Sequence, residues 1–387
     1  MEKRHIYMDN AATTPLSQPV WEAMLPWLRE GYGNPSAVYR KGREARRAVE
    51  AARRQVAIAL GAASHTEIFF TSGGTEADNW AVFSGARLAL ARGKTRVVTT
   101  AIEHKAVLES VRTLEQLGVS HTIVGATGDG VVDPAAVEAA LGEDVGLVSV
   151  MWANNEVGSL QPVEAIGRLC RQRGILFHTD AVQAAGKLPI HLQELPVDML
   201  SLSAHKFHGP KGVGALYVRG GTALPPYLHG GGQEHHRRAG TENVAGIVGL
   251  GEALAQAVAH LNEHSRALTR LSDRLLEGLL QIPGSHRNGS GSRCLPGIVN
   301  VSFEGVEGES LLLMLDLDGI AASSGSACTT GDPAASHVLL AMGIPEPLAK
   351  GSLRLSLSAD TTAAEVDRTV EAVAHIVHKL RGYTMKS

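Results

Sequence analysis

The 387-residue chain carries 36 basic and 39 acidic side chains, a net charge of −3, with 44% hydrophobic and 19% charged residues. This is ordinary globular composition, with length for two large domains of about 150 residues or more, and it excludes disorder and collagen. The near-neutral balance offers no global field for a phosphate backbone, so nucleic acid is not the expected partner.

The N-terminus MEKRHIYMDN has no apolar core, and no later run reaches about eighteen uninterrupted apolar residues, so neither signal peptide nor membrane span is expected. Cys170, Cys294 and Cys328 form no CxxC pair and cannot build a disulfide framework, which points to a reducing, cytoplasmic compartment.

The first clear element is an amphipathic helix over residues 45–60. Ala45, Ala48, Val49, Ala52, Val56 and Leu60 recur at helical spacing, with Arg43, Arg46, Arg47, Arg53 and Arg54 largely off that stripe as a basic, solvated face. Between residues 66 and 220, seven short apolar runs alternate with helix-like segments, as a parallel sheet with covering helices requires. The runs are Ile68–Ser72, Arg96–Ile102, His121–Gly125, Val145–Trp152, Ile175–Thr179, Val197–Ser203 and Gly214–Val218. One intervening helix, Val163–Arg173, puts Ala165, Ile166, Leu169 and Cys170 on one face and stops at Gly174, which makes Cys170 a core residue. Past residue 245 the pattern changes to long helices through 280, a strand at Asn300–Phe303, and helices at Ser310–Leu317 and Ala364–Leu380. This reads as a second, smaller α+β domain.

Ligands of open α/β sheets sit beyond the carboxyl ends of the strands, so the polar residues at those exits are the candidates. Thr71-Ser72-Gly73-Gly74-Thr75-Glu76 leads into a helix, and glycines there let an anion approach unpaired N–H groups; a plain strand-to-helix turn has the same composition. Further exits are Glu103-His104, Asn154-Asn155-Glu156, His178-Thr179-Asp180 with Gln183 beyond, and Ser203-Ala204-His205-Lys206. Asp180 closing a buried strand needs a cation or donors to offset desolvation. Lys206 is either a strand-end lysine or an amine suited to imine chemistry. Together they match a ring cofactor with a phosphate, a basic pyridine nitrogen and an aldehyde, which are the groups of pyridoxal phosphate.

Cys328 lies in SSGSACTTG, a tract of small residues that suits a nucleophile on a tether. Cys294 has no such context and takes no role. Arg354, in the alternating run SLRLSLS, points to one face and can take a carboxylate bidentately or serve a structural salt bridge. No intrinsic metal site is expected: the 17 histidines are scattered, HExxH is absent, and His235-His236 are adjacent.

The motifs MDNAATTP, GNPS, TSGGTEADN, EHKAVL, MWANNEVG, FHTDAVQAAGKLPI, SAHKFHGPKGVGALYVR, RRAGTEN, ASSGSACT and LRLSLS run through nearly the whole chain. With them the chain resembles the NifS/IscS-type cysteine desulfurases of the class V aminotransferase family. The resemblance implies the α/β fold of the fold-type I pyridoxal-phosphate transferases, with a large domain at 14–258 built on a seven-stranded, mainly parallel sheet. Residues 1–13 and 259–387 would form a smaller α+β domain carrying the Cys328 loop.

Carried to this chain, the resemblance has Lys206 hold pyridoxal 5'-phosphate covalently, Asp180 pair with the ring nitrogen, His104 stack on the ring and Gln183 bond the ring hydroxyl. Gly74, Thr75, Ser203 and His205 would hold the phosphate, completed by Thr241 from the second subunit of a homodimer. Arg354, with Asn155 and Asn34, would fix the carboxylate of L-cysteine. Cys328 would receive its sulfur as a persulfide, leaving L-alanine, for iron–sulfur or other sulfur-acceptor proteins, and could transiently ligate a cluster in such a complex. A class V aminotransferase or a selenocysteine lyase is the alternative, and transamination has no need of Cys328. The segment Gln233–Arg238 departs from the NifS pattern with its two histidines. The chain ends at Ser387, soon after the last predicted helix, so scaffold docking through an IscS-like tail is not expected.

Overall fold

A computed structural model describes residues 5–324 and 335–384. Gly325 and Cys328 lie outside the described residues.

All seven predicted runs form one sheet. Its order is Ile68–Thr71, Gly214–Val218, Met199–Ser203, Leu176–Asp180, Val145–Ser149, Arg96–Thr100, Ser120–Val124. Only Gly214–Val218 runs antiparallel to its neighbours, so six of the seven strands point the same way. Most of these strands are buried along their whole length, as a sheet covered on both faces demands. The register sets Asp180 opposite Ser201, and Gly214 opposite both Ser203 and Thr71. Those pairings bring the polar exits of three strands, at Thr71, Asp180 and Ser203, to one edge.

The helix Gly74–Leu90 lies against one face of the sheet through Ala77, Trp80, Ala81, Val82 and Ala86. Small residues let it approach: a Cβ on Gly85 would meet Leu147 Cδ2 at 3.2 Å. On the other face, Val163–Gln172 buries Val163, Ile166 and Cys170 and ends before Gly174, whose φ of 66° supplies the left-handed stop. The expected core role of Cys170 follows.

The long helical region is two helices, Val244–Ala259 and Leu261–Leu280, bent by 71° at His260. Among the described residues no single helix is long and apolar enough to cross a membrane. A separate apolar cluster joins Leu275, Leu279, Val301, Phe303, Leu355, Val373 and Ile376 with Ile6 and Met8 from the start of the chain. It covers the antiparallel sheet Ser352–Ser356, Ile298–Phe303, Ser285–Arg287, while Ile6–Tyr7 pairs in parallel with Ile320–Ala321.

One residue leaves its expected place. In the helix Arg40–Ala59 the stripe residues Ala45, Val49, Ala52 and Val56 are buried and Ala48 half-buried, with Leu60 buried just past its end, but Arg53, expected on the solvated face, is buried too. Its guanidinium makes two bonds to Glu234, at 2.6 and 2.8 Å, donates to the Ile68 carbonyl at 2.7 Å and sits 4.8 Å over the Phe70 ring. A carboxylate 181 positions away in sequence supplies the compensation a buried guanidinium needs, and helical spacing carries no trace of it.

Candidate functional site

The strand exits open onto a cavity of about 390 Å³. Gly74, Thr75, His104, Asn155, Asp180, Gln183, Ser203, His205, Lys206 and Arg354 all line it, drawn from positions 280 residues apart at the extremes. Two expected residues do not. Asn34 is exposed, in a turn where its Oδ1 accepts from Ser36 N–H. Thr241 faces a different recess of about 190 Å³ with Ser72, Glu234 and Arg238.

Lys206 ends the short turn Ala204–Lys206 that follows strand Met199–Ser203. Its Nζ donates to the carbonyls of Ala11 and Ala12, both at 2.7 Å, so the N-terminal segment MDNAATT is folded over the amine. Asp180 is the last residue of Leu176–Asp180, and one of its oxygens accepts from Val182 N–H at 2.8 Å. Burial pushes this carboxyl up, while the nearby His104 and Lys206 pull it back toward ionisation. His104 caps the helix Lys105–Thr113 by accepting from Ala106 N–H on Nδ1, which leaves the proton on Nε2, and burial pushes its pKa down. His205 is held near Thr13 Oγ1 at 3.2 Å, and burial with Lys206 nearby pushes it down to about 4, so it is neutral at pH 7.

The phosphate-sized end is a second recess of about 320 Å³. It shares Gly74, Thr75, Ser203 and His205 with the main cavity and adds Ser72, Gly73 and Lys211. The N-terminus of Gly74–Leu90 opens there, where first-turn N–H groups have no helical partner and the helix dipole favours an anion. Arg238 stiffens this start, bonding both oxygens of Glu76 at 2.8 and 3.0 Å while Glu76 accepts from Ser72 N–H. Gly74 is required by space: an added Cβ would lie 2.7 Å from Val182 Cγ2. Gly74→Ala is therefore expected to push the helix start off the exit of strand Ile68–Thr71. Equilibrium dialysis should show cofactor retention weakened on the order of tenfold for about 1.4 kcal/mol of misplacement, with the fold intact.

Arg354 stands on strand Ser352–Ser356, 3% exposed at its side chain. Nη2 bonds Asp9 at 2.7 Å and Nη1 the Asn155 carbonyl at 3.0 Å, while buried Nε has no partner among the described residues. The salt bridge and a vacant donor therefore coexist on one guanidinium.

Two lining residues, Asp78 and His337, escaped the sequence reading, and two of the strand-exit residues, Glu103 and Glu156, prove to be buried supports of the site. Asp78, one turn beyond Gly74, is 1% exposed with an unpartnered Oδ1, and burial with the charge of Asp180 raises its pKa strongly. The i,i+4 spacing from Gly74 was the available signal. Glu156 accepts from the Ser336 hydroxyl, and His337 Nε2 donates to the Glu103 carbonyl at 3.0 Å. No spacing signals those contacts, because they join segments about 180 and 234 residues apart.

Glu103 is wholly buried beneath His104, taking Met151 N–H on both oxygens and the Thr100 hydroxyl at 2.7 Å. Burial pushes it up to about 8, from an ordinary 4.5. The folded state then holds a proton that the unfolded chain releases above about pH 4.5, so this group's stabilisation is full below that pH and is lost as pH rises through about 8. In Glu103→Gln, urea midpoints measured across that window should fall less steeply with pH than in the unaltered chain.

The profile of the class-V aminotransferases matches residues 6–369. The chain belongs to that family. A protein named cysteine desulfurase IscS from Methanosarcina thermophila is 50% identical over 380 residues, 98% of this chain and 94% of that one. Another so named from Dictyoglomus turgidum is 47% identical over 380 residues, covering 98% and 96%. Among solved structures, a NifS-like protein superposes with a TM-score of 0.91 at 41% identity, covering 97% of this chain and 100% of the other. A NifS-like protein from Rickettsia africae gives 0.87 at 30% identity, covering 96% and 99%.

The residues of the cavity fit the cofactor of this family of pyridoxal-phosphate enzymes. A buried acid suits a ring nitrogen, a lysine amine suits an aldehyde, and a helix start with two glycines suits a phosphate.

Proposed function

We propose that this protein is a pyridoxal-phosphate-dependent cysteine desulfurase that converts L-cysteine to L-alanine and passes the sulfur on as a persulfide of Cys328. The observation that carries the reading is the convergence of Lys206, Asp180, His104 and Arg354 on one cavity, from exits far apart in sequence. Bound pyridoxal 5'-phosphate supplies an electron-accepting ring that stabilises negative charge on the substrate's α-carbon.

The chain's own groups do the rest. Lys206 would hold the cofactor through its Nζ, and the same amine would remove the substrate's α-proton. Asp180, whose carboxyl burial pushes up and the nearby His104 and Lys206 pull back, would pair with the ring nitrogen. His104 would cover one face of the ring, and Gln183 would meet the ring hydroxyl. Gly74, Thr75, Ser203 and His205 would grip the phosphate, and Arg354, with Asn155 beside it on the same cavity, would anchor the substrate carboxylate.

The Cys328 thiolate then attacks the substrate sulfur. The S–S bond forms as the C–S bond breaks, the electron pair stays on the three-carbon fragment, and a proton completes alanine, so cysteine plus thiol become alanine plus persulfide. The small-residue tract around Cys328 suits travel between substrate and acceptor.

Residues 14–258 would form the cofactor-binding domain, with 1–13 and 259–387 as the smaller one. The separate apolar cluster that unites Ile6 and Met8 with the C-terminal helices supports that division. A homodimer is supported by Thr241, which lies away from its own chain's cavity and so suits the phosphate site of a second copy. Three cysteines without a disulfide framework suit the cytoplasm.

The test incubates the purified holoenzyme with cysteine and a thiol reductant and measures alanine and sulfide together. Equal yields are expected, with both lost in Cys328→Ala. Undiminished sulfide from Cys328→Ala overturns the persulfide route, and keto-acid dependence indicates transamination.

A further inference from the structure

A second cavity, of about 280 Å³, reaches Lys206 from another side and is lined by Lys187, Asn10 and His208. Lys187 follows Gln183 by four residues, and its Nζ lies 3.1 Å from Gln183 Oε1. The other end of the same amide, Nε2, donates to the Ala11 carbonyl at 2.9 Å, the carbonyl that also receives Lys206 Nζ. Gln183 is 3% exposed and lines the main cavity, whereas Lys187 lines only the second one.

An amide can be flipped end for end at little steric cost, so its partners decide which end faces a ligand. Here the lysine claims the oxygen and the Ala11 carbonyl claims one N–H. The second N–H is the group left to present. We propose that Lys187 is a positioning residue: from the second cavity it locks the Gln183 amide so that an N–H, and not the carbonyl oxygen, is offered to the ring oxygen of the cofactor. This inference rests on the reading of Gln183 as the residue at that oxygen.

The location of Lys187 argues that it is kept for a purpose. The charged or titratable groups around it are Lys206, Arg354, His205 and His208, with His260, His264 and Asp360 also lining the second cavity, and no carboxylate is among the groups that shift it. Burial, reinforced by Lys206 and Arg354, pushes it down to about 7. A methionine would fill the same space without that penalty, so the amide contact is what a lysine adds here.

A donor aimed at the ring oxygen stabilises negative charge there most when the adjoining Lys206–cofactor linkage carries no proton. Losing the donor makes the linkage keep its proton to higher pH. The experiment is a pH titration of the visible absorption of the holoenzyme, in the unaltered chain and in Lys187→Met, Lys187→Arg, Gln183→Ala and the Lys187→Met/Gln183→Ala double variant. Lys187→Met and Gln183→Ala are each expected to raise the midpoint by about one pH unit, Lys187→Arg to restore it, and the double variant to match Gln183→Ala alone.

The double variant separates positioning from simple removal of a positive charge, because a pure charge effect would raise the midpoint further in the Gln183→Ala background and would overturn the proposal. If Gln183→Ala is shifted but Lys187→Met titrates like the unaltered chain, the Lys187 inference fails while the reading of the site stands. If Gln183→Ala is unshifted as well, or no chromophore forms, that reading fails and takes the inference with it. Should Lys187→Met not fold, Lys187→Ala replaces it under the same expectations.

Discussion

Lys206→Ala is expected to lower alanine formation from cysteine by about 10²–10⁴-fold or more, the range that loss of a positioned proton-transfer group alone commands. In the proposed reaction the amine has two tasks at one place, holding the cofactor and moving the α-proton, and the carbonyls of Ala11 and Ala12 already poise it over the strand exit. The same two bonds limit the structural damage of its removal. Each carbonyl loses a donor worth about 1 kcal/mol net, and water in the adjoining cavity can replace it, so thermal unfolding of the cofactor-free protein should change little. Borohydride reduction should fix cofactor to the unaltered chain and not to Lys206→Ala. Alanine formation by Lys206→Ala at the unaltered rate would remove the central assignment.

The site was legible where a sequence run and a chemical need coincide. Each apolar strand that stops at a polar residue announces a ligand edge, and Asp180, His104, Ser203 and Lys206 were found that way because the sheet lines up its carboxyl ends. The fold was legible for the same reason: strands buried on both faces are short, uniform apolar runs, and all seven survive with shifts of a few residues at their ends. What stayed hidden were contacts that periodicity cannot encode. Arg53 obeys helical spacing and yet is buried, because its partner Glu234 comes from a loop beyond the sheet. The Ala11 and Ala12 carbonyls touch Lys206 through backbone, so no side-chain pattern marks them. Asn34 reads as part of a motif, but within one chain its turn leaves it exposed and away from the cavity.

Glu234→Ala is expected to cost about 3 kcal/mol of stability, because it leaves the buried Arg53 guanidinium with only the half-buried Glu50, 3.1 Å from its Nε, as counter-ion. Both side chains are 3% exposed. Glu234 also accepts from Phe70 N–H at 2.9 Å, on the outer edge of strand Ile68–Thr71, so its loss leaves that N–H unpaired on the strand that leads to Ser72 and Gly73 in the recess at the helix start. Three consecutive residues here, Glu234, His235 and His236, have φ of 46°, 56° and 64°. Left-handed backbone at non-glycine residues costs roughly 1–2 kcal/mol each, and the ion pair is the anchor that offsets it. Without the anchor the segment is free to relax, carrying Arg238 off Glu76 and Thr241 out of its recess. Urea unfolding should therefore show the loss in Glu234→Ala, a smaller one in Glu234→Gln, and a double Arg53→Ala/Glu234→Ala loss well below the sum of the singles, since the pair removed together leaves no unpaired charge. Additive losses would mean that the two groups act separately, and the anchoring role would fall. Cofactor retention in Glu234→Ala should fall together with stability, because the strap that holds the helix start at Glu76 is the same segment the ion pair pins down.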